Sequence, residues 1–475
     1  MKLKIIAFLL FVQQISLSQE KINTFSYEIN KPKNVVTLTD DINEKVVFIY
    51  NYKTQIDFLL FDDTMSPKGK ISESFAEKEN RFYLGYSFSD NLYYTYWAKD
   101  NTIEVKELDF ATNTVKTSQI DLISENKGKV ISYLSENGKC YILSSSKGSN
   151  LLTIFVLEKN AAIQKTVDLK DMKFLNSDGG FANFNDICWE GNGAFYKDGF
   201  RVMSNNTFPS LVSSTQKKKI FLKDDVLTLC FDYNSNFTQT LSINLKDFSA
   251  SQKVFNKQFV TTDNQLATID SNSYIINNHV FQIKTIEGKI YLSIKDAENN
   301  EVKNILYQID NFGTTYNSDL TEEIGSITKK TILEKPNQFV RRVNRQNPSI
   351  SGYFENDKYH ITLGGVSYPQ QNSGAFIGGA FGGLIGGIVG ALVAGNTSNL
   401  EINSYANKIV VHTKIIFDSN FNHVAEKAQD SKLENLRKYI ETQKDQEFQL
   451  VYSLKNKLYL TSYNKELKQT TFYQF

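Results

Sequence analysis

The sequence predicts an all-β fold of short four-stranded sheets repeated around a ring, with very little helix. Three observations predict it. Strand-like runs rich in Ile, Val, Phe, Tyr and Thr fill most of the chain, a weak repeat recurs at about the length of one sheet, and sustained helical periodicity is scarce. The composition is that of a globular chain: 475 residues, 41% hydrophobic and 22% charged, with 34 Phe and 25 Tyr against 2 Trp and 6 Pro.

Residues 1–18 read as a secretory signal. Lys2 and Lys4 open it, Ile5 to Val12 form an apolar run, and Ser16 and Ser18 precede a cut ahead of Gln19. The run is short for a transmembrane helix, and no Cys near the cut offers a lipid attachment point. The expectation is export, to the periplasm, the outer membrane or the cell surface. Without Lys2 and Lys4 the chain has 51 basic and 52 acidic residues. Near-neutrality excludes a generally basic nucleic-acid binder, because phosphate binding needs concentrated positive charge.

Strand-like runs follow at KVVFIYN (45–51), RFYLGYSF (81–88), NLYYTYWA (91–98), LLTIFVLE (151–158) and KIYLSIKD (289–296). Their apolar content exceeds simple alternation, so many of these strands are expected to be buried on both faces. Within them a pattern recurs: an apolar run ends in an acidic or polar residue, then comes a polar turn and another strand. The closing residues are Asp62, Asp109, Glu158, Asp232, Asp296, Asp418 and Asn464, at spacings of 47, 49, 74, 64, 122 and 46. Three spacings lie near the length of one four-stranded blade. The 74-residue gap implies an insertion of about 27 residues, and the 122-residue gap a large insertion or a hidden blade.

In period and strand pattern, residues 30–475 resemble the β-propeller proteins. The resemblance is architectural and carries no active site, because no Trp-Asp pair or kelch double glycine marks the blades. It implies about seven four-stranded blades, six or eight being close alternatives, across residues 19–475. Tandem β-sandwiches are the alternative fold. Radial closure is favoured because it leaves only short, protected sheet edges. The last copy (447–453, 457–462, 469–474) is one strand short, and a strand at 34–40 is expected to complete it. A helical insertion is expected at 424–445, where SKLENLRKYIET places Leu433, Leu436 and Ile440 on one face and Ser431 with Glu434 forms a capping box.

One segment breaks the pattern. From Tyr359 to Leu400 there is no Asp, Glu, Lys or Arg, and residues 366–400 read as a Gly-rich apolar insertion. Its centre, 374–395, contains only Gly, Ala, Phe, Ile, Leu and Val and holds 9 of the chain's 25 glycines. Gly374, Gly378, Gly382, Gly386 and Gly390 recur every fourth residue, the pattern of a glycine zipper. On a helix that row is a groove open to another backbone, flanked by Phe376, Phe381 and Leu384. In water nine glycines would cost such a helix on the order of 8 kcal/mol relative to alanine. The segment is therefore expected to dock on a membrane or a protein partner, or on a sister copy. Packing against its own propeller is the plainer alternative.

Chemical candidates are sparse. Asp186 and Glu190 flank Trp189 in NFNDICWEGNG, a pattern that would suit a carbohydrate-active propeller enzyme. Arg341, Arg342 and Arg345 are three of the six arginines and suit an anion or partner contact, or else an ordinary charged surface strand. Lys217, Lys218 and Lys219 read as a solvated turn. Cys140 and Cys230 lie in strand-like runs and read as small buried apolar residues; with Cys188, at most one disulfide is possible. His279, His360, His412 and His423 lack ligand spacing, so no metal or cofactor is expected. The leading expectation is an exported, non-enzymatic binding or assembly module of a bacterial envelope. A propeller enzyme and a membrane-inserting effector are the alternatives.

Overall fold

Tight turns set the blades. Asp90-Asn91, Asn137-Gly138, Asp224-Asp225, Asn277-Asn278, Asn356-Asp357 and Lys455-Asn456 each have two consecutive residues at positive φ, as two-residue hairpins of the primed type require. Asn, Asp and Gly adopt this conformation at least cost, which is why they punctuate the strand runs. The computed structural model describes residues 19–30, 32–75, 81–99, 102–121, 128–191, 199–203, 209–261, 267–367, 404–443 and 448–475.

Among the described residues seven four- or five-stranded sheets, antiparallel but for one added strand, form a β-propeller. Blades 1, 2, 3 and 5 are four-stranded meanders at 34–74, 82–121, 129–168 and 270–308. Strands are lettered a to d outward from the axis; the a strands of neighbouring blades touch, as Phe82–Ser89 touches Lys129–Glu136. Blade 4 (218–256) gains an innermost strand, Arg201–Met203, which runs parallel to Lys218–Lys223. Blade 6 takes its inner strands from Asn347–Glu355, Lys358–Ser367 and Ile409–Asp418. Its outer strands, Thr321–Ile324 and Lys330–Ile332, come earlier in the chain.

Closure differs from expectation. Blade 7 is Phe448–Leu454, Lys457–Asn464 and Gln469–Gln474, completed by Glu20–Ser26, whose Glu20 pairs with Gln474. Asn34–Asp40 is instead the inner strand of blade 1. The closing strand, EKINTFS, is a half-exposed edge strand and lacks the apolar density that made 34–40 conspicuous.

The repeat also needs two corrections. Asp62, Asp109, Glu158, Asp296 and Asp418 close c strands, whereas Asp232 and Asn464 close b strands. The c-closing aspartates share a turn. Asp296 Oδ1 accepts from the Glu298 and Asn300 amides (2.9 and 2.8 Å), and Asp418 Oδ1 from those of Asn420 and Asn422 (2.9 and 2.8 Å). Among the described residues the 122-residue gap holds no extra blade but the outer strands of blade 6 and a helix; residues 368–403, also within it, lie outside the described ones.

Among the described residues four helices stand between strands: α1 (Phe184–Trp189), α2 (Leu211–Ser214), α3 (Pro336–Val343) and α4 (Lys432–Thr442). In α4 both capping-box bonds form between Ser431 and Glu434, and Leu433 and Leu436 are buried. The helix packs on blade 7 through Leu436 and Tyr439 against Val451, Leu458 and Leu460. Phe184 and Ile187 of α1 help fill the junction of blades 3 and 4, and Phe339, Val340 and Val343 of α3 that of blades 5 and 6, whereas blades 7 and 1 meet through sheet side chains, Phe48 and Phe61 against Tyr452 and Phe472.

The two faces of the wheel differ. The a–b turns all lie on one face, because they touch around the ring. Lys455 N donates to Asp41 Oδ1 (2.8 Å), Tyr93 Oη to Asp40 Oδ2 (3.2 Å), Asn137 to Asp225 (2.9 Å) and Lys223 to Asn277 (2.8 Å). These turns carry Asp41, Glu44, Asp90, Asp224, Asp225 and Asp357 but only one cation, Lys455. This face is acidic as a by-product of turn chemistry. On it Glu136 is pushed up to about 7, first by burial and then by Asp41 and Asp225. The b–c and d–a connections lie on the opposite face.

Candidate functional site

The uncharged insertion belongs to blade 6. Lys358–Ser367 pairs with Ile409–Asp418 over its whole length, from Lys358 opposite Asp418 to Ser367 opposite Ile409. The chain therefore leaves and re-enters the sheet at two hydrogen-bonded neighbours, on the face away from the acidic turns. Gly364 permits this close pairing, since a Cβ there would collide with the Val411 carbonyl. Gly374, Gly378, Gly382, Gly386, Gly390, Phe376, Phe381 and Leu384 lie outside the described residues, as do residues 1–18.

The returning chain is held by a polar clamp. Ser404 Oγ bonds Ser210 Oγ (2.8 Å), and the Leu211 amide donates to Tyr405 Oη (3.3 Å). The Arg437 guanidinium lies over the Tyr405 ring at 3.5 Å and donates to Glu323 Oε2 (2.9 Å). Glu323 Oε1 meets His412 Nε2 at 3.1 Å. Burial alone would raise the pKa of Glu323, but His412 and Arg437 outweigh it and hold the carboxyl down to about 2. Burial likewise pushes the Tyr405 phenol up. Strand d and strand c of blade 6, α2, α4 and the end of the insertion are thus tied at one point. A cavity of about 40 Å³ adjoins the clamp, lined in part by Tyr353, His360, Thr362 and Lys414. It has room for a water or two, and His412 Nδ1, buried beside it, has no hydrogen-bond partner among the described residues. A larger cavity, about 470 Å³, lies between the Glu355–Lys358 end of the blade and the start of α4, with Glu355, Glu426, Asp430 and Lys432 in its wall. Beside it His360 stacks on Tyr353 at 4.8 Å, and burial lowers the His360 pKa.

The carboxylates expected to serve an enzyme are used in local structure. Asp186 accepts from the side-chain amides of Asn183 (2.6 Å) and Asn185 (3.3 Å) at the start of α1. Glu190 accepts from the Ser177 amide (2.7 Å). Trp189 donates to Ser145 Oγ (3.0 Å) under the Lys129 ammonium. The three arginines lie in and after α3 rather than on a strand. Phe339, Val340 and Val343 face the core with Pro336 in the first turn, Arg342 pairs with Glu322, and Arg341 and Arg345 are exposed.

The Lys217–Lys219 run is not a solvated turn. It enters the inner strand of blade 4, and Lys218 and Lys219 are fully buried on opposite faces of that strand. Lys218 donates to the carbonyls of Cys188 (3.0 Å) and Glu190 (3.1 Å). Lys219 and Lys257 each reach Asp232, at 3.2 and 3.1 Å, between blades 4 and 5. Asp232 also accepts from Ser273 Oγ (2.6 Å), Thr238 Oγ1 (2.8 Å) and the Ser273 amide (3.0 Å). Burial opposes its charge, yet Lys257, Lys219 and these donors hold it far below the usual carboxylate range. Burial lowers Lys257, and Asp232 offsets part of that. Nothing local announces this network, whose anion lies 13 residues beyond Lys219 and whose second cation lies 25 further on. Cys140, Cys188 and Cys230 are buried free thiols. Among the described residues no group of three His, Cys, Asp or Glu is placed to hold a metal ion, and no helix is long and apolar enough to cross a membrane.

No protein-family model matches the chain, and no curated protein does. Among solved structures it is similar to a Synechocystis apocarotenoid oxygenase mutant, at 8% identity and TM-score 0.28, over 57% of this chain and 61% of that one. It is similar also to uncharacterized protein lmo1340 from Listeria monocytogenes (7%, TM-score 0.29, 71% and 82% covered). A protein from Lactobacillus plantarum is comparable (7%, TM-score 0.25, 70% and 80% covered). The chain spans 61% of the length of the Synechocystis protein. These likenesses are too slight to carry an argument about activity.

Proposed function

We propose that this chain is an exported, non-enzymatic binding or assembly module of a bacterial envelope, whose uncharged insertion docks the propeller on an apolar surface. One observation carries the reading: the insertion departs from Ser367 and returns to Ile409, which are paired neighbours. A run of 22 residues could reach about 33 Å as a helix, enough for one bilayer crossing. One crossing would put two hydrogen-bonded strands of blade 6 on opposite sides of a membrane, and the ladder forbids that. An apolar element tethered at one point of one face can insert shallowly, grip a protein partner or pair with a second copy through its glycine row. In each case the wheel stays on one side.

The test is fractionation of the full-length protein and a version lacking 374–395. The full chain is expected in the particulate fraction or in assemblies, and the deleted version as a soluble monomer with an unchanged circular dichroism spectrum. Identical behaviour of the two, with the same partners, removes the docking role.

A further inference from the structure

We infer that the face bearing the insertion lies flat against an anionic lipid bilayer, with Phe181, Phe259, Ile324 and Leu467 entering the headgroup layer and the acidic turns pointing away. The inference rests on the docking role proposed above and commits it to one surface. Among the described residues, six large apolar side chains are at least half exposed: these four, Ile332 and Ile42. Leu467 lies in the b–c turn of blade 7, and Ile324 ends its strand opposite Ile409, beside the exit of the insertion. Phe259 follows strand d of blade 4, next to Lys257, which bonds the Asn234 carbonyl of a b–c turn (2.9 Å). Phe181 follows strand d of blade 3, in a segment held to the same turn where Asn234 donates to the Ser177 carbonyl (2.8 Å). All four are therefore on the insertion face. Ile332 is on the outer edge of blade 6, and Ile42 alone is among the acidic turns.

Single exposed apolar residues are ordinary on a protein surface; here four of the six most exposed share the face from which the uncharged segment also emerges. Charge points the same way. Lysines accompany three of the anchors: Lys173 sits 5.9 Å from the Phe181 ring, the Lys329 carbonyl bonds the Ile324 amide, and Lys465 precedes Leu467 in the same turn. The a–b turns of the opposite face carry six acidic residues against Lys455, and its c–d turns add Asp63, Asp247, Asp296 and Glu298 against Lys159 and Lys246, which pair with Asp90 and Asp225. In a near-neutral chain, that segregation turns the acidic face away from anionic headgroups and leaves lysines beside the apolar anchors.

The experiment is co-sedimentation of the full-length protein with vesicles of phosphatidylcholine alone or mixed with phosphatidylglycerol. It compares wild type, the triple variant Phe181→Ser/Phe259→Ser/Leu467→Ser, and Ile42→Ser. All of these substitutions are at exposed positions, and thermal melts check the fold. Binding is expected to favour the mixed vesicles, to fall at least ~tenfold in the triple variant and to stay unchanged in Ile42→Ser. Equal binding to both vesicle types overturns the anionic requirement, and equal loss in Ile42→Ser overturns the orientation. If the wild type ignores both vesicles yet loses its particulate fraction on deletion of 374–395, the occupant is a protein and the bilayer inference fails while the docking role stands. If deletion changes nothing, the docking role itself fails.

Discussion

Two junctions between blades solve the same packing problem with opposite chemistry. Between blades 7 and 1 the seam is aromatic: Phe48 meets Phe61, Tyr452 and Phe472 with ring centroids 5.4, 5.3 and 5.9 Å apart, and Phe48 is 1% exposed. Between blades 4 and 5 the seam includes two ammonium groups sharing one carboxylate, all three side chains fully buried. The aromatic seam is non-directional, and its loss scales with area and cavity. The ionic seam works only when complete, because each charge has given up its water for the other two.

The largest expected effect breaks the ionic seam. Asp232→Ala leaves Lys219 and Lys257 without their shared anion and should destabilise by about 5 kcal/mol, read by urea denaturation. Adding Lys219→Met and Lys257→Met to an Asp232→Leu change should recover most of that, since a buried ion cluster is often replaceable by apolar volume. If the triple replacement is no more stable than Asp232→Ala, burial of unpaired charge is not the cause.

In the aromatic seam Phe48→Ala should cost about 4 kcal/mol by the same measurement, with no rescue from any charge change. The clamp of blade 6 should respond to acid. Glu323 is held to about 2 in the fold against an ordinary 4.5, so its contribution is complete above about pH 4.5 and drains away as pH falls toward 2. The difference is on the order of 3 kcal/mol, and Glu323→Gln should flatten the stability profile between those limits.

Glu136 has the opposite sign. Its carboxyl is raised to about 7, so the fold favours the protonated form and loses stability as pH rises from 4.5 through 7. Glu136→Gln should therefore stabilise by about 2 kcal/mol at pH 8 and by almost nothing at pH 4, seen in melts at the two pH values. The smallest effect sharpens the contrast between seams and helix ends: Ser431→Ala removes one capping bond of α4 and should cost about 1 kcal/mol.

The all-β class and α4 are legible in the sequence because each rests on local rules, whereas the blade number is legible only to within one. Turn residues at positive φ, β-branched and aromatic runs, and a Ser-Glu capping box act over a few positions. The closing strand at Glu20–Ser26 was illegible because its partner lies at the other end of the chain and its own sequence is that of an edge. The Phe-Val-Arg-Arg run misleads for a related reason. Eight residues of mixed character fit strand or helix, and Phe339, Val340 and Val343 become a helical face only against the core of blades 5 and 6.

What the sequence by itself determined is whatever short-range sterics and capping dictate: the hairpins, the resulting acid on one face, and the uncharged stretch that had to be accommodated somewhere. Only the tertiary structure decided which charges are buried, who shares them and where the insertion meets the wheel. Lys219 and Lys257 show why. A lysine costs little at the surface and a great deal in the core, so its place depends on Asp232 arriving from another strand, and long-range closure brings that carboxylate to both ammonium groups.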